Sequence, residues 1–199
     1  MTGQPRDFIT VVSGLPRSGT SMMMHMLDVG GVPALIDNIR TADEENPTGY
    51  FEFEPVKQLR KSASWLDRAY GKVVKVIYLL VYDLPTHHKY KVIFMRRELE
   101  EVIASQEVML RRQGKKEEAG KFDEEQVARV FNRQIEQFDA WIRGRANFDL
   151  LYVNYNDVLY NSKSAVDDIE RFLHGQLDKE AMMQVVDRSL HRQKRSAAQ

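Results

Sequence analysis

Cysteine is absent from this 199-residue chain. That excludes disulfides, cysteine-ligated zinc and thiol nucleophiles. A surplus of either charge is missing too: Lys+Arg and Asp+Glu stand at 29 each, and the formal net charge is zero. A general nucleic-acid binder is usually basic overall, so that class is set aside and any anion site must be local. No apolar run reaches the roughly 18 residues that a membrane span needs. The opening residues MTGQPRDF are too polar for a signal peptide. A soluble cytoplasmic protein without a membrane span is the expectation. No internal repeat is visible, and the length suits one domain over 1–199 with a sizeable core.

What is present is concentrated in Phe8–Val29, FITVVSGLPRSGTSMMMHMLDV. Phe8 to Val12 is a β-branched and aromatic run and reads as a buried strand. The loop Ser13–Ser21 follows, and an apolar helical pattern runs from near Gly19 to about Val29. Strand, glycine-bounded loop and helix make the layout of a phosphate cradle. Gly14 and Gly19 let the loop turn tightly with its N–H groups facing an anion. The helix N-terminus adds about half a positive charge. Thr20 and Ser21 place hydroxyls where they reach a phosphate oxygen. The spacing matches G-x-x-x-x-G, yet Thr20 stands where a nucleoside triphosphatase has its lysine. The cation inside the loop is Arg17, whose planar fork suits a phosphate or sulfate oxygen pair.

The rest of the chain alternates strands and helices. Gly30-Gly31-Val32-Pro33 ends the first helix, and residues 34–54 form a long, acidic, turn-rich connection. Pro55–Ala69 reads as a helix with Val56, Leu59, Trp65 and Leu66 inward. Lys72–Leu80 and Lys91–Met95 are the second and third strands, and Asp149–Val153 the fourth. Helices are expected over Glu98–Gln113, Asp123–Ile142, Lys163–Leu173 and Asp178–Val186. In the Asp123–Ile142 helix the inward stripe is Val127, Val130, Phe131, Ile135, Phe138 and Ile142. The charged stretch 114–121 reads as a solvated loop, with a lid as the alternative. The basic tail at about 187–199 frays. The fold class is α/β: a P-loop-type three-layer fold with a central parallel sheet of four to five strands flanked by helices. Ligands of such sheets gather beyond the carboxyl ends of the strands. The phosphate loop follows the first strand, Lys75 lies in the second, and Arg96-Arg97 closes the third. Arg97 and Ser105, eight residues apart, are read as a second anion site, which makes a nucleotide with two distant phosphates the expected ligand.

On these residues the chain resembles the sulfotransferase family. Gly14–Ser21, GLPRSGTS, is similar to the loop that binds the 5′-phosphosulfate of 3′-phosphoadenosine-5′-phosphosulfate (PAPS). The resemblance implies that Gly14, Pro16, Arg17, Ser18, Gly19, Thr20 and Ser21 hold that end of the cofactor. Arg97 and Ser105 match the pair that holds the 3′-phosphate. Tyr155, in LYVNYNDVL, matches the tyrosine after the late strand, and Lys75 resembles the family lysine of the second strand. The loop and helix look closest to the tyrosylprotein and bacterial branches, where Arg replaces the cytosolic enzymes' Lys. The implied reaction is in-line transfer of the sulfuryl group from PAPS to a hydroxyl or amine. The product is 3′-phosphoadenosine 5′-phosphate, and no metal is required. The acceptor is a small molecule, a carbohydrate or a peptide.

Two departures accompany the resemblance. Ile77 occupies the place of the cytosolic enzymes' catalytic histidine, two residues past the strand lysine. The Arg-Lys-Gly clasp on the 3′-phosphate is missing, with the basic run His191–Arg195 as a candidate substitute. In the related branches a glutamate from the connection after the first helix is the base. Asp37 lies near that place, and Glu52 sits among Tyr50, Phe51 and Phe53, an apolar setting that raises a carboxyl pKa. The expected catalytic set is therefore Arg17, Lys75 and either Asp37 or Glu52. Two other readings stay open: an Mg²⁺–ATP kinase or nucleotidase, and a degenerate nucleotide-binding module. The histidine pair His87-His88 has no third ligand at metal-site spacing, and Met22, Met23, Met24 and Met26 read as core filler.

Overall fold

The computed structural model describes residues 6–37, 39, 49–112, 114 and 124–191. Four strands pair in parallel: β1 (Ile9–Gly14), β2 (Val73–Lys75), β3 (Tyr90–Arg96) and β4 (Phe148–Asn154). Their order in the sheet is β2-β1-β3-β4. All six residues of β1 and the first six of β3 are buried, which is why these strands read as unbroken apolar runs rather than alternating ones. Successive side chains serve opposite faces. Val12 and Ile93 enter one core with α1 (Thr20–Val29), α6 (Ser162–Phe172) and α7 (Lys179–Gln184). Val11, Val92 and Phe94 enter the other with Phe138 and Ile142 of α4 (Glu124–Arg143) and with Val56, Leu59, Trp65 and Leu66. Helices on both faces of a parallel sheet make the expected α/β fold. Met23, Met24 and Met26 are fully buried core filler, as their spacing predicts.

The strand order creates a switch point. The chain leaves β1 towards β2 on one side, and β3 lies on the other side and leads on to β4. Connections diverge above the carboxyl ends of β1 and β3, the position at which sheets of this kind form their ligand crevice. Register lines up its rim: Gly14 pairs with Met95, and Arg96 with Asn154. Lys75 pairs with Val12, two residues before the end of β1.

Two elements differ from expectation. The second strand spans only Val73–Lys75, not Lys72–Leu80, and Tyr78–Val81 forms a short helix, α2. β2 lies at the end of the strand order, pairs with Thr10–Val12 of β1, and meets Ala34 in an isolated parallel bridge at Val73. After the bond from Val76 N–H to the Val12 carbonyl, β1 approaches its loop and offers β2 no further partner. Pro55–Ala69 is not one helix but two 3-10 segments, Glu54–Gln58 and Ser64–Arg68. The N–H groups of both Lys61 and Ser62 fold back onto the Gln58 carbonyl and close the first segment. The apolar positions of the stretch are still buried, so the burial pattern was legible and the backbone path was not. On α4, Val130 faces solvent instead of the core, while Phe138 and Ile142 are buried. A short helix α5 (Tyr155–Tyr160) follows β4 directly, started by Asn154, whose side chain accepts from the N–H groups of Asn156 and Asp157. α3 spans Leu99–Arg112. The loop at 114–121, apart from Gly114, and the tail beyond His191 lie outside the described residues.

Candidate functional site

The loop after β1 is shaped from within. Ser18 donates to the Leu15 carbonyl both through its N–H, at 3.2 Å, and through its hydroxyl, at 2.7 Å. Ser18 is 1 % exposed, so it holds the turn rather than facing the crevice. Gly14 needs its missing side chain: a Cβ would stand 2.7 Å from the Met95 carbonyl and 2.6 Å from Ser18 Oγ. Arg17 takes φ 69°, a left-handed conformation uncommon for a residue with a side chain. α1 starts at Thr20 with Gly19 as N-cap at φ 96°, and no side chain caps it. A helix end in this state presents first-turn N–H groups without intrahelical partners.

On the β3 side of the loop two arginines meet, the side chain of one against the backbone of the other. Arg17 Nε donates to Ser105 Oγ of α3 at 2.9 Å, and Arg97 Nη1 donates to the Arg17 carbonyl at 3.2 Å. The Arg97 guanidinium carbon lies 4.4 Å from the centre of the Tyr155 ring, a cation–π contact. Tyr155 in turn backs the loop, since a Cβ on Gly19 would come within 2.5 Å of its ring. Burial pushes the Tyr155 phenol up, so it stays a neutral hydroxyl. The structure thus brings Arg17, Arg97, Ser105 and Tyr155 together, whereas the sequence reading assigns Arg17 to one anion site and Arg97 with Ser105 to another. It also turns the Arg17 side chain towards α3. Arg96, the next residue along β3, belongs to the opposite face: it stacks on Tyr152 at 3.7 Å and reaches Asp139 at 3.3 Å.

On the β2 side, Lys75 Nζ donates to Ser21 Oγ at 2.9 Å and also to the Tyr50 carbonyl. One ammonium therefore ties the first turn of α1 to the connection that carries the candidate bases. Phe51 takes φ 51° and stacks on His25, with ring centres 5.5 Å apart. Asp37 and Glu52 come together: the Asp37 N–H donates to the Glu52 carbonyl at 3.4 Å. The Asp37 carboxylate is engaged at both oxygens, by the Glu54 N–H at 2.5 Å and the Ile39 N–H at 3.1 Å. Residues 41–48, including Asp43, Glu44 and Glu45, lie outside the described residues. Ile77 is exposed at the end of β2.

Glu101 and Tyr160, which sequence reasoning missed, join this site together with His191 of the basic run. Glu101 accepts from Arg97 Nε at 2.8 Å, His191 Nε2 lies 3.0 Å from the same carboxylate oxygen, and the Tyr160 hydroxyl lies 3.1 Å from His191 Nδ1. The Arg97–Glu101 spacing of four on a helix start was the available signal. His191 is ninety residues from Glu101, and nothing local marks it. Of the basic run expected near the 3′-phosphate, His191 is thus placed beside Arg97, and residues 192–195 lie outside the described ones. His88 is a buried turn residue instead, bonded to the Tyr70 hydroxyl at 2.9 Å.

Fold and site together define an α/β protein with an uncapped helix start at the sheet's switch point and cationic side chains on both sides of it. The particular family follows from comparison. A sulfotransferase domain model matches residues 7–198, and the chain belongs to that family. Two solved structures share the fold. The sulfotransferase domain of the Synechococcus PCC 7002 olefin synthase matches at 16 % identity and TM-score 0.51, covering 96 % of this chain and 81 % of that one. The sulfotransferase domain from the curacin biosynthetic pathway matches at 13 % identity and TM-score 0.52, covering 92 % and 79 %. A search of curated proteins finds no match. No described helix is long and apolar enough to cross a membrane.

Proposed function

We propose that this chain is a single, cytoplasmic sulfotransferase domain that moves a sulfuryl group from PAPS to a hydroxyl or amine. The acceptor is a small molecule, a carbohydrate or a peptide. The loop arginine favours the tyrosylprotein-like and bacterial branch of the family. The observation that carries the reading is the uncapped start of α1 at the switch point, with Lys75 on one side and Arg17, Arg97 and Ser105 on the other. Two separated cationic groups fit a ligand with anions at both ends, and the side-chain-free approach at Gly14 and Gly19 suits a backbone cradle.

When bound, PAPS supplies an activated sulfuryl group, whose bond to the 5′-phosphate oxygen breaks as the acceptor oxygen or nitrogen attacks. The chain's own residues do the rest. The α1 N–H groups, Thr20, Ser21 and Lys75 stabilise negative charge at the 5′ end, and such preorganised donors lower the barrier most where charge develops. Arg17 draws the loop and α3 into one cationic surface. Arg97 and Ser105 anchor the 3′-phosphate, with Tyr155 as the platform under Arg97. Glu52 takes the acceptor proton. We assign the base to Glu52 for its place among the aromatic residues Tyr50, Phe51 and Phe53, and give Asp37, whose oxygens accept the Glu54 and Ile39 N–H groups, the part of holding the connection in shape.

Calorimetry without metal tests the proposal. Binding of 3′-phosphoadenosine 5′-phosphate in the low micromolar range is expected. No binding of that nucleotide, beside clear chelator-sensitive binding of Mg²⁺–ATP, would overturn it in favour of a kinase or nucleotidase.

A further inference from the structure

Arg97 sits in a buried polar network that the phosphate-site reading does not use. Its Nε is taken by Glu101 at 2.8 Å and its Nη1 by the Arg17 carbonyl at 3.2 Å, while Tyr155 supports one face of its plane. Those contacts from three elements determine how the guanidinium is turned. Glu101 is 3 % exposed and His191 5 %. A carboxylate at that depth is costly unless it is paired and hydrogen-bonded. Burial raises the Glu101 carboxyl, but hydrogen bonds from Arg97 and His191 outweigh it and hold it below the usual carboxylate range.

The tautomer follows from the chemistry of the partners. A carboxylate only accepts, so His191 Nε2 carries a hydrogen and donates to Glu101 Oε2 at 3.0 Å. In the neutral ring Nδ1 is then the acceptor, and the Tyr160 hydroxyl donates to it at 3.1 Å. His191 also packs edge-on against Tyr155, ring centres 5.7 Å apart. Arg188, just before it in the chain, donates to the Leu159 carbonyl at 2.8 Å and fastens this segment to α5.

We propose that Glu101 and His191 are positioning residues: His191 aims the Glu101 carboxylate, and Glu101 turns Arg97 towards the nucleotide's 3′-phosphate. Resting on the nucleotide reading above, this makes the pair the source of preference for a 3′-phosphorylated nucleotide. It also gives the segment at 188–191 a part in cofactor recognition without any contact to the ligand.

The idea has an unusual sign. Glu101 is an anion next to an anion site, so by charge alone its removal strengthens phosphate binding. Positioning predicts the reverse, because a guanidinium released from its carboxylate must be reordered on each binding event. The experiment compares the full chain with its Glu101→Gln, His191→Ala and His191→Gln variants. Calorimetry uses 3′-phosphoadenosine 5′-phosphate and AMP as probes, with a melting curve for each protein. Glu101→Gln is expected to weaken the bisphosphate at least tenfold and AMP less than twofold. His191→Ala should weaken the bisphosphate by about threefold or more. His191→Gln, whose amide N–H can replace Nε2–H, should restore most of that loss. Tighter or unchanged bisphosphate binding in Glu101→Gln overturns the proposal, as does equal loss for both nucleotides. Should Glu101→Gln not fold, the contrast between His191→Ala and His191→Gln decides: equal effects on both nucleotides refute it. A wild-type chain with no preference for the bisphosphate over AMP refutes the nucleotide reading itself, which separates that failure from this one.

Discussion

Gly19 offers a sharp test of how the loop and the Arg97 platform are joined. It sits at φ 96°, and a Cβ there would lie 2.5 Å from Tyr155 Cδ2 and 3.0 Å from Cε2. Gly31 has nearly the same backbone, φ 94°, with nothing within 4 Å of its would-be Cβ. Alanine at Gly31 therefore costs only left-handed strain, about 1–2 kcal/mol. Alanine at Gly19 costs the same strain plus overpacking against a buried ring, about 1–3 kcal/mol more. Tyr155 cannot simply swing away, since it is 6 % exposed and packed between the loop and Arg97. The difference of about 2 kcal/mol corresponds to a Tm for Gly19→Ala lower than that of Gly31→Ala by roughly 4–8 °C. Because the displaced ring carries Arg97, Gly19→Ala should also weaken 3′-phosphoadenosine 5′-phosphate at least tenfold, while Gly31→Ala leaves it unchanged. Differential scanning calorimetry and titration calorimetry read the two effects. Equal melting temperatures, or equal nucleotide affinities, for the two variants would refute the coupling between loop, ring and guanidinium.

Three further outcomes follow from the site. Arg17→Ala should lower sulfuryl transfer on the order of 10²-fold, the scale of removing one positioned donor; a turnover within threefold of wild type would show that Arg17 serves only Ser105. Glu52→Gln should abolish most transfer with nucleotide affinity retained, whereas Asp37→Asn should lower the Tm more than the rate; the opposite pattern would move the base to Asp37. His88 is lowered from its ordinary histidine value, first by burial and then by the adjacent His87. The unfolded chain then binds the proton more readily, so His88's share of stability is whole above about pH 6.5 and is lost as the pH falls below it. His88→Gln should flatten the fall of Tm between about pH 6.5 and 5, and an unchanged slope there would count against this account.

The cradle was legible because its signals are local. Gly14, Arg17 and Gly19 fall within six residues, and the strand before and helix after them have unambiguous periods. Arg97 and Ser105 were legible for the same reason, as a strand end and a helix face. What stayed hidden depended on partners far along the chain. β2 is short because its pairing with β1 ends at Val12, a fact held in residues 10–14 and not in KVVKVIYLL. The 55–69 stretch buries the expected side chains through two tight turns in place of one helix, and burial alone does not distinguish these paths. Glu101 reads as one more solvated carboxylate on a charged helix until Arg97 and His191 close on it. The turn of Arg17 towards Ser105 likewise depends on where α3 lies.

The distances along the chain between these partners carry a consequence for folding. Lys75 and Ser21 are 54 residues apart, Arg97 and Arg17 80, Arg17 and Ser105 88, and His191 and Glu101 90. No fragment holding only the loop and its helix contains these bonds. Contacts of such long range are closed late and slowly, since the entropy of closing large loops must be met before they form. On the proposed reading, a nucleotide seated against Lys75, Ser21, Arg97 and Ser105 has nothing comparable to hold in a partly folded chain. Its binding free energy therefore adds to the stability of the complete molecule, and nucleotide affinity becomes a measure of whether folding has reached its end.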